Sequence, residues 1–320
     1  MKSVLTILFV NIFSFGFSQK KITVSKDGSG EFVSVQQAFD AVPRSNKQPI
    51  TIYIKKGIYK EKVHLDSTKD YVALIGDDKF STIITFDDHP GKIDANGDSI
   101  NTRSSWTCKI KGDFFYAENI TFQNDAGFTA GQAVAIESDG DKATFTNCRF
   151  VGNQDVLFTN ADNSRQYFSS CYIEGTTDFI FGSATVWFEK CVIHSKKNSH
   201  VTAASTPQDH KYGYVFDHCW LTGDTSLHKV SLGRPWRPYA NVIYMNCFLG
   251  EHIMAEGWAN WNKTENFKTA RYSEYKNYGQ GAEPSGRVNW SKQLTDEEAK
   301  LVYPEEVLGT WIREKLIITN

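Results

Sequence analysis

Residues Thr146–Phe150 read TNCRF and residues Ser169–Ile173 read SSCYI. The same frame returns as EKCVI over Glu189–Ile193, DHCWL over Asp217–Leu221 and MNCFL over Met245–Leu249. ENITF over Glu118–Phe122 fits it with Ile120 in the cysteine place. From Ile120 to Cys247 the central positions are 28, 23, 20, 28 and 28 residues apart. Each frame alternates with period two, as in Cys148 and Phe150 or Cys171 and Ile173, which is the signature of a short strand with one buried face. An irregular repeat of this length built from Val, Ile, Phe and Tyr excludes helical repeats, and Leu is not periodic enough for a leucine-rich array. The expected fold is all-β, a right-handed parallel β-helix, with the cysteines stacked as an internal ladder about 4.8 Å per coil. Between Cys171 and Cys191, one compact coil apart, both a disulfide and a reduced stack are open.

Working outward, SVQQAFDAVP (Ser34–Pro43) predicts a short amphipathic helix ended by Pro43, placed to cap the open N-terminal coil. ITIYIKKGIY and YVALIGD predict strands. LTDEEAKLVYPEEVL carries a Thr295–Glu298 capping box and predicts a C-terminal helix packed on the outside. The stretch before it, YKNYGQGAEPSGR, reads as a Gly-rich loop. No break in composition divides the chain, so residues 19–320 are expected to form a single β-helix catalytic domain. Residues 1–18 are expected to be a signal peptide. Lys2 supplies the positive end, Val4 to Phe17 the apolar stretch, and Gly16 and Ser18 the small residues before a cut at Gln19. The expected location is therefore periplasmic or secreted, and six cysteines, an even number, fit an oxidising compartment. A net charge of −2 gives no case for nucleic acid or an anionic membrane as partner. The eight histidines form no ligand pair among acids, so no metal is expected.

TTDFIFGSA (Thr176–Ala184) places the carboxylate of Asp178 against Phe179, Ile180 and Phe181, which is costly unless it is paired or used. The ladder supplies a neighbour. Asp155 follows Cys148 by seven residues and Asp178 follows Cys171 by seven. The two acids thus occupy equivalent places on adjacent coils, where two carboxylates do not easily both ionise and their pKa values split. On spacing alone this acid pair and a pair of turn-bonding aspartates are both open.

The motifs, in order, carry a resemblance. VSKDGSGEFVSVQQAFDAVP, KKGIYKEKV, GQAVAIESDGDKATFTNCRF, GNQDVLF, DFIFGSA, SLGRPW, MAEGWANW and SEYKNYGQGA resemble the pectin methylesterases, in particular the bacterial-type secreted enzymes. The resemblance covers nearly the whole chain after the signal segment and implies a carbohydrate esterase on a parallel β-helix, without cofactor. It implies Asp178 as nucleophile, Asp155 as general acid and then base, Gln132 and Gln154 as oxyanion donors, and Arg234 as partner of Asp178. It implies Trp236, Phe181, Phe158 and Thr102 as substrate contacts. Two positions depart from the pattern: Phe158 stands where the family often has Tyr, and Val156 where it has Thr, which bears on substrate preference more than on the chemical step. The implied partner is methylated homogalacturonan, acted on by a monomer.

Three competing readings remain in the sequence. A β-helix glycoside hydrolase also uses paired carboxylates. A related esterase would act on another acyl group, and an exported solenoid would only bind polysaccharide. The two Gln residues and the Arg favour acyl transfer. For Trp258, core packing is favoured over a sugar-stacking role.

Overall fold

The computed structural model describes residues 20–313; the expected signal peptide lies outside them. The chain winds into three parallel sheets of eleven, seven and eight strands, each coil giving one strand to each sheet in turn. This is the right-handed parallel β-helix expected from the repeat. Register is strict from coil to coil. Arg149 to Val151 pair with Tyr172 to Glu174, which pair with Val192 to His194, which pair with Trp220 and onward.

The repeated frame marks one corner of every coil. The residue before each ladder position is left-handed: Asn119, Asn147, Ser170, Lys190, His218 and Asn246 have φ between 51° and 59°. Asn tolerates this region better than most side chains, and it fills three of the six corners. The following residue, Ile120 or Cys, turns inward and is buried. Several ladder thiols donate weakly to the carbonyl two residues back, as Cys148 Sγ does to Thr146 O at 3.4 Å and Cys247 Sγ to Met245 O at 3.2 Å. Cysteine thus serves here as a small apolar corner filler with a weak donor. All six cysteines are free thiols, Cys171 and Cys191 included.

A second internal column accompanies the first. Phe145, Phe168, Phe188, Phe216 and Tyr244 stack in sequence with centroid separations of 4.6, 5.0, 4.4 and 4.3 Å. Each sits three residues before a ladder cysteine, so the signal is present in the sequence once the frame is extended backwards. Burying each ring contributes about 1.5–3 kcal/mol, and a good stack adds roughly 0.5–1.5.

The ends are closed as expected, with one correction. The helix Val35–Asp40 begins at Ser34, whose hydroxyl accepts from the Gln37 N–H, and it buries Val35, Ala38 and Phe39 over the first coils. At the other end, one helix was expected over Leu294–Leu308; two short ones are found, Asp296–Ala299 and Pro304–Leu308. The Thr295–Glu298 capping box starts the first. Pro304 ends any continuous helix, because the residue before a proline is driven out of the helical region, and Tyr303 is accordingly extended. Val302, Val307, Leu308 and Trp311 then cover Trp187, Val215 and Ile243 on the outer face of the eleven-stranded sheet. The Gly-rich loop is tied down by Arg287, which forms a bidentate pair with buried Glu274 at 2.8 and 3.0 Å.

Candidate active site

The seven-stranded sheet bears the site on its outer face. Its strands Ile136–Ser138, Leu157–Thr159, Ile180–Gly182 and His200–Ala204 lie in register, so that Glu137, Phe158, Phe181 and Ala203 form one outward row. Phe158 and Phe181 are stacked at 4.3 Å with planes 4° apart, and they form the floor of a cleft of about 430 Å³. Gly182 is required beneath it. Its φ is 128°, and a Cβ there would meet Thr159 O at 1.9 Å.

Asp155 and Asp178 each stand at the corner leading into this sheet, and both are left-handed, with φ of 62° and 49°. Non-glycine residues held in this region cost about 1–3 kcal/mol and concentrate at functional sites. The Asp155 N–H donates to Thr177 O at 3.1 Å, and the Asp178 N–H donates to His200 O at 2.8 Å. These bonds step from coil to coil, so the two carboxylates occupy adjacent coils, as the seven-residue offset implied. Both acids are nearly buried.

Arg234 reaches Asp178 from the loop after strand Ser231–Gly233. Its Nε donates to Asp178 Oδ1 at 3.0 Å and its Nη2 to Oδ2 at 2.6 Å. The guanidinium lies 4.0 Å from the Trp261 ring centroid. This planar fork is what arginine offers and lysine does not. The two acids are therefore in different electrostatic settings. Burial raises the Asp178 pKa above the ordinary carboxylate value, and the Arg234 bonds oppose that rise. Asp155 is driven well above the ordinary value, first by burial and then by the charge of Asp178, with Arg234 and a hydrogen bond from Gln154 acting the other way. The proton of the pair belongs on Asp155.

Gln132 and Gln154 line the same cleft and are joined by a parallel backbone bridge. Trp236, Thr102, Phe158 and Phe181 line it as well, so every site residue expected from the sequence is brought together. Trp258 is not among them. It is buried in the interior, its Nε1 donating to Glu274 Oε1 at 3.2 Å, in agreement with the core-packing expectation. Four lining residues were not anticipated: Asn101, Arg103, Ala203 and Trp261. Trp261 is the second Trp of MAEGWANW; it lines the cleft, whereas Trp258 is buried. His200 was also missed. It follows Asp178 by one coil, its Nδ1 lies 2.7 Å from Ser231 Oγ, and burial and the Arg234 charge push its pKa down to about 4. It is a neutral neighbour to the acid pair near neutral pH.

Fold and site together define a class: a parallel β-helix whose outer face carries a buried, arginine-paired acid dyad in an aromatic cleft. The comparisons identify the family within that class. The sequence profile of the pectinesterase family matches residues 21–308, and the chain belongs to that family. Pectinesterase QRT1 of Arabidopsis thaliana is 38% identical over 306 residues, covering 92% of this chain and 79% of that protein. The structure of a pectin methylesterase from carrot superposes with a TM-score of 0.85 at 33% identity, covering 93% of this chain and 96% of that one. A pectin methylesterase in complex with a hexasaccharide superposes with a TM-score of 0.81 at 27% identity, covering 92% and 98%. The Arabidopsis relative is a plant enzyme, and the bacterial-type side of the resemblance gains no support from it.

Proposed function

We propose that this cleft hydrolyses methyl esters of galacturonate units in pectin, with Asp178 as the nucleophile. The observation that carries the assignment is the bidentate Arg234–Asp178 pair one coil from an acid that keeps its proton. Asp178 Oδ attacks the ester carbonyl carbon, and the C=O electrons move onto oxygen. Gln132 and Gln154 donate N–H groups to that oxyanion, each worth about 3 kcal/mol in comparable sites. Neutral amides suit the task, because a cation there would also hold the free carboxylate product. As the tetrahedral species collapses, the C–O bond to methoxide breaks and Asp155 supplies the proton, giving methanol. The sugar acyl group is left as an anhydride on Asp178. Asp155, now an anion, takes a proton from water as that water attacks the anhydride. Galacturonate leaves, Asp178 is restored as a carboxylate, and Asp155 is again protonated. A carboxylate is a weak nucleophile, and fixed placement offsets this by roughly 7–11 kcal/mol in good cases.

Trp236, Phe181, Phe158 and Thr102 are the proposed contacts to the sugars. A retaining glycosidase also places its carboxylates about 5 Å apart; Arg234 and the two Gln residues favour acyl transfer over that reading. The mature enzyme is proposed to act outside the cytoplasm as a monomer. Among the described residues no helix is long and apolar enough to cross a membrane. Incubation with methylated pectin tests the activity: methanol should appear while polymer length stays constant. Chain shortening without methanol would instead establish a hydrolase or lyase.

A further inference from the structure

The eight-stranded sheet turns to solvent a face separate from the one that bears the cleft. Alternation along its strands buries Tyr59, Phe150, Ile173, Leu221 and Leu249. Their neighbours face out in register, from Ile58 through Arg149, Tyr172 and Trp220 to Phe248, and Tyr278 adds one coil more. The eight strands and Tyr278 beyond them, at about 4.8 Å per coil, make a track of roughly 38 Å along the axis. Phe80 joins it from the turn before strand Thr82–Phe86, where its ring meets the Arg149 guanidinium. Ile58, Phe80, Trp220 and Tyr278 are 63, 64, 43 and 52% exposed, four of the nine exposed large hydrophobic side chains among the described residues. Scattered singly they would be ordinary; aligned on one face they mark an interaction surface.

The charges of this face select the occupant. Arg149 forms no ion pair among the described residues. Its guanidinium lies between the rings of Phe80 and Tyr172, 5.1 and 5.4 Å from their centroids, and Nη1 donates to Thr121 Oγ1 at 3.3 Å. Lys79, beside Phe80, donates to the neutral Asn147 Oδ1 at 2.6 Å. The acids nearby are each engaged. Glu174 accepts from Tyr172 Oη at 2.7 Å and pairs with Lys196 at 3.2 Å. Asp224 is bonded to His194, and Asp78 to the N–H of Phe80 and the hydroxyl of Ser81 in its own turn. An apolar protein partner would bury the Arg149 charge in the middle of its contact, which is costly. A polyuronate brings anions to it, and the C–H faces of its pyranose rings pack on electron-rich aromatic faces. It is also a linear repeat, as the track is.

We infer that the outer face of the eight-stranded sheet is a second, non-catalytic binding track for a polyuronate chain, with Trp220, Tyr278 and Phe80 as ring platforms and Arg149 as the cation. It holds the enzyme on the polymer while the cleft works elsewhere on it. This rests on the pectinesterase reading and adds an anchoring surface to it. A long chain or a network of chains engages cleft and track together and gains through effective concentration; an oligomer no longer than the cleft gains nothing.

The test compares wild type, Trp220→Ala/Tyr278→Ala and Arg149→Gln in methanol release from long methylated pectin and from a short methylated oligogalacturonide that fits within the cleft. In the double variant kcat/KM on pectin should fall about tenfold, as expected for two lost ring platforms, while kcat/KM on the oligomer stays at the wild-type value. Arg149→Gln should lose less on pectin, and its deficit should vanish at high salt. Electrophoresis through a gel containing polygalacturonate reads binding without turnover: retardation should weaken in the double variant and largely persist in the cleft variant Trp236→Ala. Unchanged kcat/KM on pectin with unchanged retardation overturns the track, and so do equal losses on both substrates. Sedimentation of wild type as a dimer and of the double variant as a monomer would assign the face to a second copy and overturn it as well. Wild type releasing no methanol from either substrate overturns the activity reading itself, and the gel then still decides the track.

Discussion

Replacing Arg234 by Met removes the guanidinium while keeping a side chain of similar reach against Trp261. Asp178 is then buried without its partner. The two bonds lost, at 3.0 and 2.6 Å, are charge-assisted and near-ideal in geometry. At about 1.5 kcal/mol each, the low end for such bonds, the carboxylate loses about 3 kcal/mol relative to the carboxylic acid. At 1.36 kcal/mol per unit, the Asp178 pKa rises by about 2 units. Burial already pushes this pKa upward, so nothing opposes the rise. Arg234 also restrains Asp155, whose pKa climbs further when the cation goes. Asp178 must be ionised and Asp155 protonated in the free enzyme, so the acid limb of kcat/KM belongs to the dyad's first ionisation and the alkaline limb to its second. The entire bell is therefore displaced toward alkaline pH, its acid limb by about 2 units. The facing histidine, His200, titrates near 4 and its pKa moves up as the guanidinium charge is lost. The assay is initial-rate methanol release from pectin across the pH range in which the variant retains its circular dichroism spectrum. A profile that keeps its wild-type acid limb at substantial activity refutes the claim that Arg234 holds Asp178 ionised.

Three further substitutions bear on the dyad and the oxyanion site. Gln132→Ala and Gln154→Ala should each lower kcat by about 10²–10³ with a smaller effect on KM, measured on the same pectin. Asp155→Asn should abolish turnover yet stabilise the fold at neutral pH. The folded-state pKa of Asp155 is raised, so its contribution to stability is fully present below about pH 4, the unfolded value, and is lost as pH rises toward the folded one. Asn carries no ionisation cost, so the variant's melting temperature should exceed that of wild type at neutral pH by about 2 °C for each kcal/mol relieved, and the gain should vanish below about pH 4.

Much of this site was legible because a solenoid turns sequence intervals into spatial neighbours. The offset of seven from the cysteine ladder placed Asp155 beside Asp178 with no knowledge of the coordinates. Their division into nucleophile and acid was not contained in the spacing; it came from the family resemblance, and Arg234 supplies its physical basis. The walls of the cleft were less legible. Arg103, in the short 3-10 helix Thr102–Ser104, and Trp261, on a loop, stand outside the repeating frame, so no register counts them into the site. The aromatic column from Phe145 to Tyr244 lies three residues before each ladder cysteine, just outside the five-residue frame that repeats. At the C-terminus the capping box located a helix start correctly, but Pro304 outweighed the amphipathic pattern that followed it.

The most direct test of the central claim is methanol release by Asp178→Ala and Asp178→Asn beside wild type, each checked for an unaltered far-UV spectrum. Removal of the nucleophile should cost roughly 10³-fold or more in kcat, with bound pectin still detectable in the folded variants. Near-wild-type methanol release by either folded variant would show that the ester is opened by another group, and the assignment of Asp178 would fall.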